Sequence, residues 1–466
     1  MGPDEEHSGL GEGAWFHRLV RVRPGEGADV FLSGGCFFLI LFGYALLKPV
    51  RDAMGVQRSM DDLRWLFFAT CVVSLVVSVA FGGVVSRFDR GRFIAIMFRV
   101  VIACLCVFAA VLWSGVSEEM KLYTGYVYFV WLSVVNLFLM SVFWGLMADV
   151  WTLDQGKRVF AGIGVGGTVG MLLGSSFVWR LADEVGAIAQ LLIAAVVFEI
   201  AAQFVGLIDR RARRCSGSRD ADRGLSPVSV IGGRWWEGVV AIGRSAYLLG
   251  IGGYLVLLGI GNTLIYFTKA ELVQDASDEL GRRIALFGQV EMWTQLSTLF
   301  VQLFVTAHLI RRLGVGFALA ALPVVTVAGF VVLAWVGGRP GIEGWQILGV
   351  LMAFKAVHGA TKYAVVRPAR ETLFSVVPDA AKYKAKPIMD VFLYRGGDVA
   401  GVGVVKAAAA FGLAGMLFAA APLAVLWGGL AVWLAVVQRR KAMMVRDAEG
   451  SRGNYTMQSG STGEQA

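Results

Sequence analysis

The chain has 466 residues, 57% of them hydrophobic and only 17% charged, with a mean hydropathy of +0.66 and a formal net charge of +9. Soluble domains carry roughly a quarter charged residues, so water is excluded as the main solvent. The basic surplus is spread over short stretches between apolar segments, which excludes a compact nucleic-acid-binding domain and fits orientation by the positive-inside rule.

The N-terminal stretch MGPDEEHSGLGEGAWF begins acidic and lacks a basic run leading into a short apolar core, so no cleavable signal peptide is expected. Apolar stretches follow at about 29–48, 64–86, 93–113, 122–148, 158–181, 186–208, 243–268, 284–309, 314–336, 345–366, 388–411 and 413–437. Each is long enough for a ~30 Å hydrocarbon layer, and backbone groups in lipid must be satisfied within the segment. The expected fold class is therefore all-α integral membrane, with about twelve transmembrane helices in two six-helix halves.

The expected organisation is a cytoplasmic tail 1–28, a bundle 29–208, a cytoplasmic linker 209–242, a second bundle 243–437 and a disordered tail 438–466. Arg and Lys concentrate in both tails and in every even-numbered loop, whereas odd-numbered loops such as Ser117-Glu118-Glu119 are poor in them. Both termini are expected to be cytoplasmic, and the protein a multi-pass component of the inner (plasma) membrane. Two loop pairs suggest that the halves repeat: VVSRFDRGRF matches HLIRRLGVG, and ADVWTLDQGKRVF matches PARETLFSVVPDAAKYKAK. A parallel repeat of this kind predicts a substrate cavity between the halves.

Gly162-x-Gly164-x-x-Gly167 spells a dinucleotide fingerprint, but it sits in an apolar helix without a preceding strand and is rejected as one. Gly162, Gly166, Gly170 and Gly174, at four-residue spacing, instead make a smooth face for close helix packing. Asp89 and Gly91 in SRFDRGRF resemble the loop between the second and third helices of the major facilitator superfamily. Asp89, Arg90 and Arg92 are thus candidates for a charge network that locks one conformation, or for simple positive-inside anchors. Asp149, Lys157 and Arg158 after helix 4, and Arg370, Glu371 and Asp390 after helix 10, extend the gating set.

Ionisable groups at membrane depth need a cavity or a partner; here they are Lys48, Arg51, Asp52, Arg99, Asp149, Glu199, Lys269, Glu291, Lys355, Lys362, Asp398 and Lys406. The cations outnumber the acids, which favours an anionic solute; alternatively, half of them snorkel or pair with Asp52, Asp149, Glu291 or Asp398. His358, one turn from Lys355 and Lys362, is either a proton site or a satisfied buried histidine. The five cysteines, at 36, 71, 104, 106 and 215, form no C-x-x-C or Cys/His set of ligand spacing. Neither a catalytic triad nor a P-loop is present in the sequence, so no enzyme, cofactor or metal is expected.

Three stretches, LFGYALLKPVRDAMGV, VVNLFLMSVFWGLMADVWTLDQGKRVFAGIGVGG and KYAVVRPARETLFSVVPDAAKYKAKPIMDVFLYRGGD, resemble the nucleotide exchange (ATP/ADP translocase) transporter family, more closely its free-living bacterial relatives. The resemblance implies a major-facilitator-like fold. It carries the family's basic residue before Asp onto Arg51 and its late Lys onto Lys386, while its functional acids in helices 4 and 7 fall on Leu132 and Ile265. Basic positions suit phosphate; the missing carboxylates remove groups that could read a base or balance an exchange cycle.

The function expected is transport of a small anionic solute by alternating access, with ATP/ADP exchange the leading candidate and Lys48, Arg51, Lys269, Lys355, Lys362 and Lys386 as substrate-binding residues. Two other readings stay open: a major facilitator-type carrier of a non-nucleotide metabolite or drug, and a non-transporting interaction or sensory protein with a carrier fold. The expected partners are the solute and the lipid bilayer, without nucleic acid.

Overall fold

A computed structural model describes residues 26–85, 90–219, 236–378, 385–386 and 388–461, and among these the chain is helical with short turns and no strand. Helices α1 (Gly27–Gly55), α2 (Met60–Val85), α3 (Arg90–Trp113) and α4 (Glu118–Val150) follow one another. The stretch Leu153–Arg219 breaks at Gly186 (φ 72°, ψ 167°) into α5 (153–185) and α6 (187–219). A short helix α7 (Trp236–Arg244) precedes α8 (Ala246–Ala276) and α9 (Leu280–Phe304). The next stretch, Thr306–Gly337, breaks at Gly314, and its membrane part is α10 (Gly314–Gly337).

Helix α11 (Gly344–Ala360) runs on through a π turn, Thr361–Val366, into the α turn Arg367–Leu373. Helix α12 likewise opens with a π turn, Met389–Leu393, and continues as Tyr394–Ala408; α13 is Gly412–Ser461. Setting α7 aside, these are twelve membrane-length helices among the described residues, in an all-α arrangement. Seven described stretches are long and apolar enough to cross a membrane, and two of them, Arg158–Ala212 and Met389–Met444, each hold two helices.

The repeat shows in the backbone. Among the described residues every positive φ belongs to glycine, and Gly115 and Gly186 turn the chain after the third and fifth helices of the first run as Gly341 and Gly412 do in the second. Only glycine enters this region without a steric cost. Close helix approach repeats too: a Cβ on Gly166 of α5 would lie 2.7 Å from the Gly34 carbonyl oxygen of α1. In the second run, one on Gly397 of α12 would lie 2.5 Å from the Val256 oxygen of α8. Glycines at such crossings let backbones touch and maximise dispersion contact, the chief packing force where lipid is as apolar as the side chains.

The described residues pack as two compact units, Met1–Val228 with Val273–Leu299, and Ser229–Leu272 with Phe300–Ala466. The first unit thus takes in most of α9, from the second six-helix run. Its core holds Ile40, Leu46, Leu47 and Val50 of α1, all at most 1% exposed, with Phe37 stacked on Phe143 at 4.3 Å. The second unit is centred on Tyr254, Leu255, Leu319, Leu322, Trp427 and Leu434.

The stretch 209–242, read as a linker, is helical at both ends, since α6 reaches Arg219 and α7 starts at Trp236. The tail from 438 is helical to Ser461 instead of disordered. Gln438 to Met444 are mostly strong helix formers, and a helix already nucleated in the membrane propagates through them at little cost.

Gly170 meets the Phe38 carbonyl directly, whereas nothing lies within 4 Å of a Cβ on Gly164. Gly170→Leu is therefore expected to cost at least 1–3 kcal/mol, roughly the overpacking range, and Gly164→Leu close to nothing. Thermal unfolding of the two variants in detergent checks the contrast.

Candidate functional site

In the first unit the charges gather around the end of α1. Lys48 Nζ lies 2.5 Å from Glu291 Oε2 of α9, and Gln295 Nε2 donates to Glu291 Oε1 at 2.8 Å. One turn along α1, Arg51 donates through Nε and Nη2 to Asp52 Oδ1 at 3.0 and 2.5 Å and through Nη1 to Ser133 Oγ of α4 at 3.2 Å. Its guanidinium also stands 4.9 Å from the centre of the Phe129 ring. Pro49, between the two cations, removes a backbone donor from α1, and the Tyr128 hydroxyl donates to the nearby Leu47 oxygen at 3.3 Å. Leu132, where the resemblance places a lost carboxylate, is fully buried beside Ser133. The cluster's acids are instead Asp52 of α1 and Glu291 of α9.

In the second unit a second cluster joins the π turn of α11 to the residue that follows the π turn of α12. Lys362, on the π turn of α11, donates to the Tyr394 hydroxyl at 3.4 Å, and Tyr394 follows directly on the π turn of α12. Asn262 of α8 donates to the same hydroxyl at 3.2 Å and to the Leu258 oxygen at 2.7 Å. Asp398, 8% exposed, accepts from Arg395 at 3.4 Å and interacts electrostatically with Lys362. His358 is fully buried between Lys355 and Lys362 in sequence, and neither ring nitrogen has a hydrogen-bond partner among the described residues. It is buried as the sequence suggests, yet not satisfied by a side chain or backbone group described here. π turns widen a helix by one residue and are concentrated at functional positions.

Lys269, 4% exposed, places its ammonium 4.6 Å from the Tyr266 ring centre, a cation–π contact that stabilises charge in an apolar setting.

At the polar end of α11 a third group forms. Lys386 Nζ pairs with Glu371 Oε2 at 2.6 Å, and Arg370 reaches Glu371 at 3.3 Å and Asp390 at 3.5 Å. Burial pushes the Glu371 carboxyl up, but Lys386 and Arg370 outweigh it and hold the group below the usual carboxylate range. The first unit carries a counterpart: Arg158 of α5 forks onto Glu26 at 3.0 and 3.2 Å, and Gln155 donates to Glu26 at 3.0 Å.

The expected set is thus divided three ways. Lys48 and Arg51 lie in one cluster, Lys362 in the second with Lys355 one turn away from His358, and Lys386 with Arg370, Glu371 and Asp390 in the third. Asp149 is exposed near the end of α4. Asp89 lies outside the described residues, and so do the side chains of Arg90, Arg92 and Lys157, although their backbone is helical in α3 and α5. Sequence reasoning did not single out Tyr394, Asn262, Arg395 or Ser133. The Arg395-x-x-Asp398 spacing, one helical turn, is the signal that could have found the second cluster.

No family model matches the chain. It is 24% identical over 445 residues to ADP,ATP carrier protein 1 of Chlamydia trachomatis serovar D, covering 83% of this chain and 81% of that protein. With ADP,ATP carrier protein 1 of Chlamydia muridarum the identity is 22% over 446 residues, again 83% and 81%. The crystal structure of a mutant of nucleoside transporter NupG superposes with a TM-score of 0.56 at 14% identity, covering 89% of this chain and 99% of that one. The chain is a distant homologue of proteins named ADP,ATP carrier protein and shares the fold of NupG.

Removing one partner of a buried ion pair leaves an uncompensated charge and costs about 3–5 kcal/mol, while an apolar replacement of both is often neutral. Glu291→Leu alone is expected to lower stability by about 3 kcal/mol, and adding Lys48→Met to recover most of the loss. A double-mutant cycle by thermal unfolding in detergent reads both.

Proposed function

We propose that this protein is a membrane transporter that exchanges small phosphorylated anions, nucleoside di- and triphosphates foremost, by alternating access. The observation that carries the reading is the second cluster. Lys362 donates there to the Tyr394 hydroxyl, which also accepts from Asn262, beside the Arg395–Asp398 pair. A lysine in a low-dielectric setting attracts phosphate strongly, hydroxyl and amide groups beside it offer hydrogen bonds, and the flanking π turns supply backbone that can adjust. The curated relatives named ADP,ATP carrier protein support the same substrate class. The membrane is proposed to be the inner (plasma) membrane with both termini cytoplasmic, following the basic residues of the even-numbered loops.

Within this reading Lys362, Lys355 and Lys269 serve the solute directly. Lys48 and Arg51, each already held by a carboxylate, are substrate residues only in a conformation where Glu291 or Asp52 releases them. Lys386, bound to Glu371, acts as part of a latch with Arg370 and Asp390, mirrored in the first unit by Arg158 and Glu26.

A ligand that binds the folded state raises its stability, by about 2.7 kcal/mol at a hundredfold excess over Kd. ATP and ADP are expected to raise the unfolding temperature of the purified protein, and Lys362→Gln to abolish the shift. A shift given by adenosine and retained in Lys362→Gln would favour an uncharged nucleoside instead. Lys386→Glu is expected to keep the ATP-induced shift while slowing exchange in proteoliposomes about tenfold, and Glu371→Lys in the same chain to restore the rate. Loss of the shift in Lys386→Glu would return Lys386 to the substrate set.

A further inference from the structure

One pair of charges in the first unit belongs to none of the three clusters. Phe98 of α3 and Phe198 of α6 pack against each other, their ring centres 6.1 Å apart. The next residue on each helix is turned outward. Arg99 and Glu199 lie 3.9 Å apart with side chains 58% and 43% exposed, and Gln203 donates to Glu199 Oε1 at 2.6 Å. Among the described residues the Arg99 guanidinium has one hydrogen bond, to the Ala95 oxygen at 3.3 Å, besides its contact with Glu199.

Depth makes this pair unusual. At ~1.5 Å per residue, Glu199 stands ~20 Å along α6 from the turn at Gly186 and ~15 Å from Asp209 at the other end. That is mid-membrane, and its surroundings are apolar: Ile96, Val100, Val196 and Ile200 are all exposed on the same two helices. Ionisable groups at this depth almost always face a protein interior or a cavity. A long, partly hydrogen-bonded ion pair open to lipid tails leaves guanidinium donors and carboxylate lone pairs without partners.

We propose that the α3/α6 face, with Arg99, Glu199 and Gln203 at its centre, is the contact between two copies of this chain in the bilayer. The patch carries both signs side by side, so a two-fold operation sets Arg99 of one copy against Glu199 of the other and repeats the contact reciprocally, the self-complementarity that an isologous dimer requires. Beside it, α2, α3 and α4 line an apolar groove of about 840 Å³ to which Ile96 and Val100 contribute. The groove gives the partner's aliphatic side chains a place to seat next to the charges.

The test uses full-length protein labelled with two fluorophores and reconstituted at low density, with pairing read by single-molecule colocalisation and energy transfer. Wild-type protein is expected to pair. Arg99→Glu copies alone and Glu199→Arg copies alone are expected to pair at least tenfold less, because like charges then meet. Mixing the two variants is expected to restore pairing between differently labelled copies only, since every Glu then faces an Arg; the doubly swapped variant Arg99→Glu/Glu199→Arg pairs with itself. A purely internal role for the ion pair would not make association depend on mixing. The proposal is overturned if wild-type protein is monomeric, including the case in which Arg99 binds an anionic lipid, or if the mixture pairs no better than each variant alone.

Discussion

Charge held at membrane depth is the constraint from which the rest of this protein follows. Each Lys or Arg placed among twelve apolar helices must be compensated locally, because lipid cannot solvate it. The structure meets that demand differently in each place: Glu291 for Lys48, Asp52 and Ser133 for Arg51, an aromatic ring for Lys269, and Tyr394 for Lys362. The first cluster braces α1 against α4 and α9, and in the second the proposed anion would meet Lys362 beside the Arg395–Asp398 pair.

The scaffold that holds these groups is made by small residues. Gly166 and Gly170 let α5 lie backbone to backbone on α1, and Gly397 does the same for α12 on α8, so the helices carrying Arg51 and Asp398 are fixed by contact and not by loops. Glycine turns at 115 and 186, and at 341 and 412, repeat the same chain reversals in each six-helix run. The two π turns beside Lys362 and Tyr394 are departures from this regular packing, and they flank the proposed anion site.

Much of this was legible in the sequence, for a physical reason: hydropathy and loop charge report directly on a bilayer, so the helices, their number and their division into runs could be read from composition. The four-residue glycine spacing on α5 announced close packing correctly. What could not be read was which helix each charge faces. Glu291 is one of several membrane-depth acids without an assigned partner until α9 is seen within the first unit, and Lys386 looks like a ligand-binding lysine until Glu371 is found 2.6 Å away. Tyr394 and Asn262 were invisible because a tyrosine or asparagine in an apolar helix carries no spacing signal; only the hydrogen bonds that Lys362 and Asn262 give to the Tyr394 hydroxyl single them out.

Exchange of phosphorylated nucleosides is read by counterflow. Purified protein is reconstituted into liposomes loaded with unlabelled ATP, with adenosine or with buffer, and entry of labelled ADP is followed. Saturable entry that depends on internal ATP and is not supported by internal adenosine is expected. Entry no greater than into protein-free liposomes, or entry driven equally by adenosine, contradicts it.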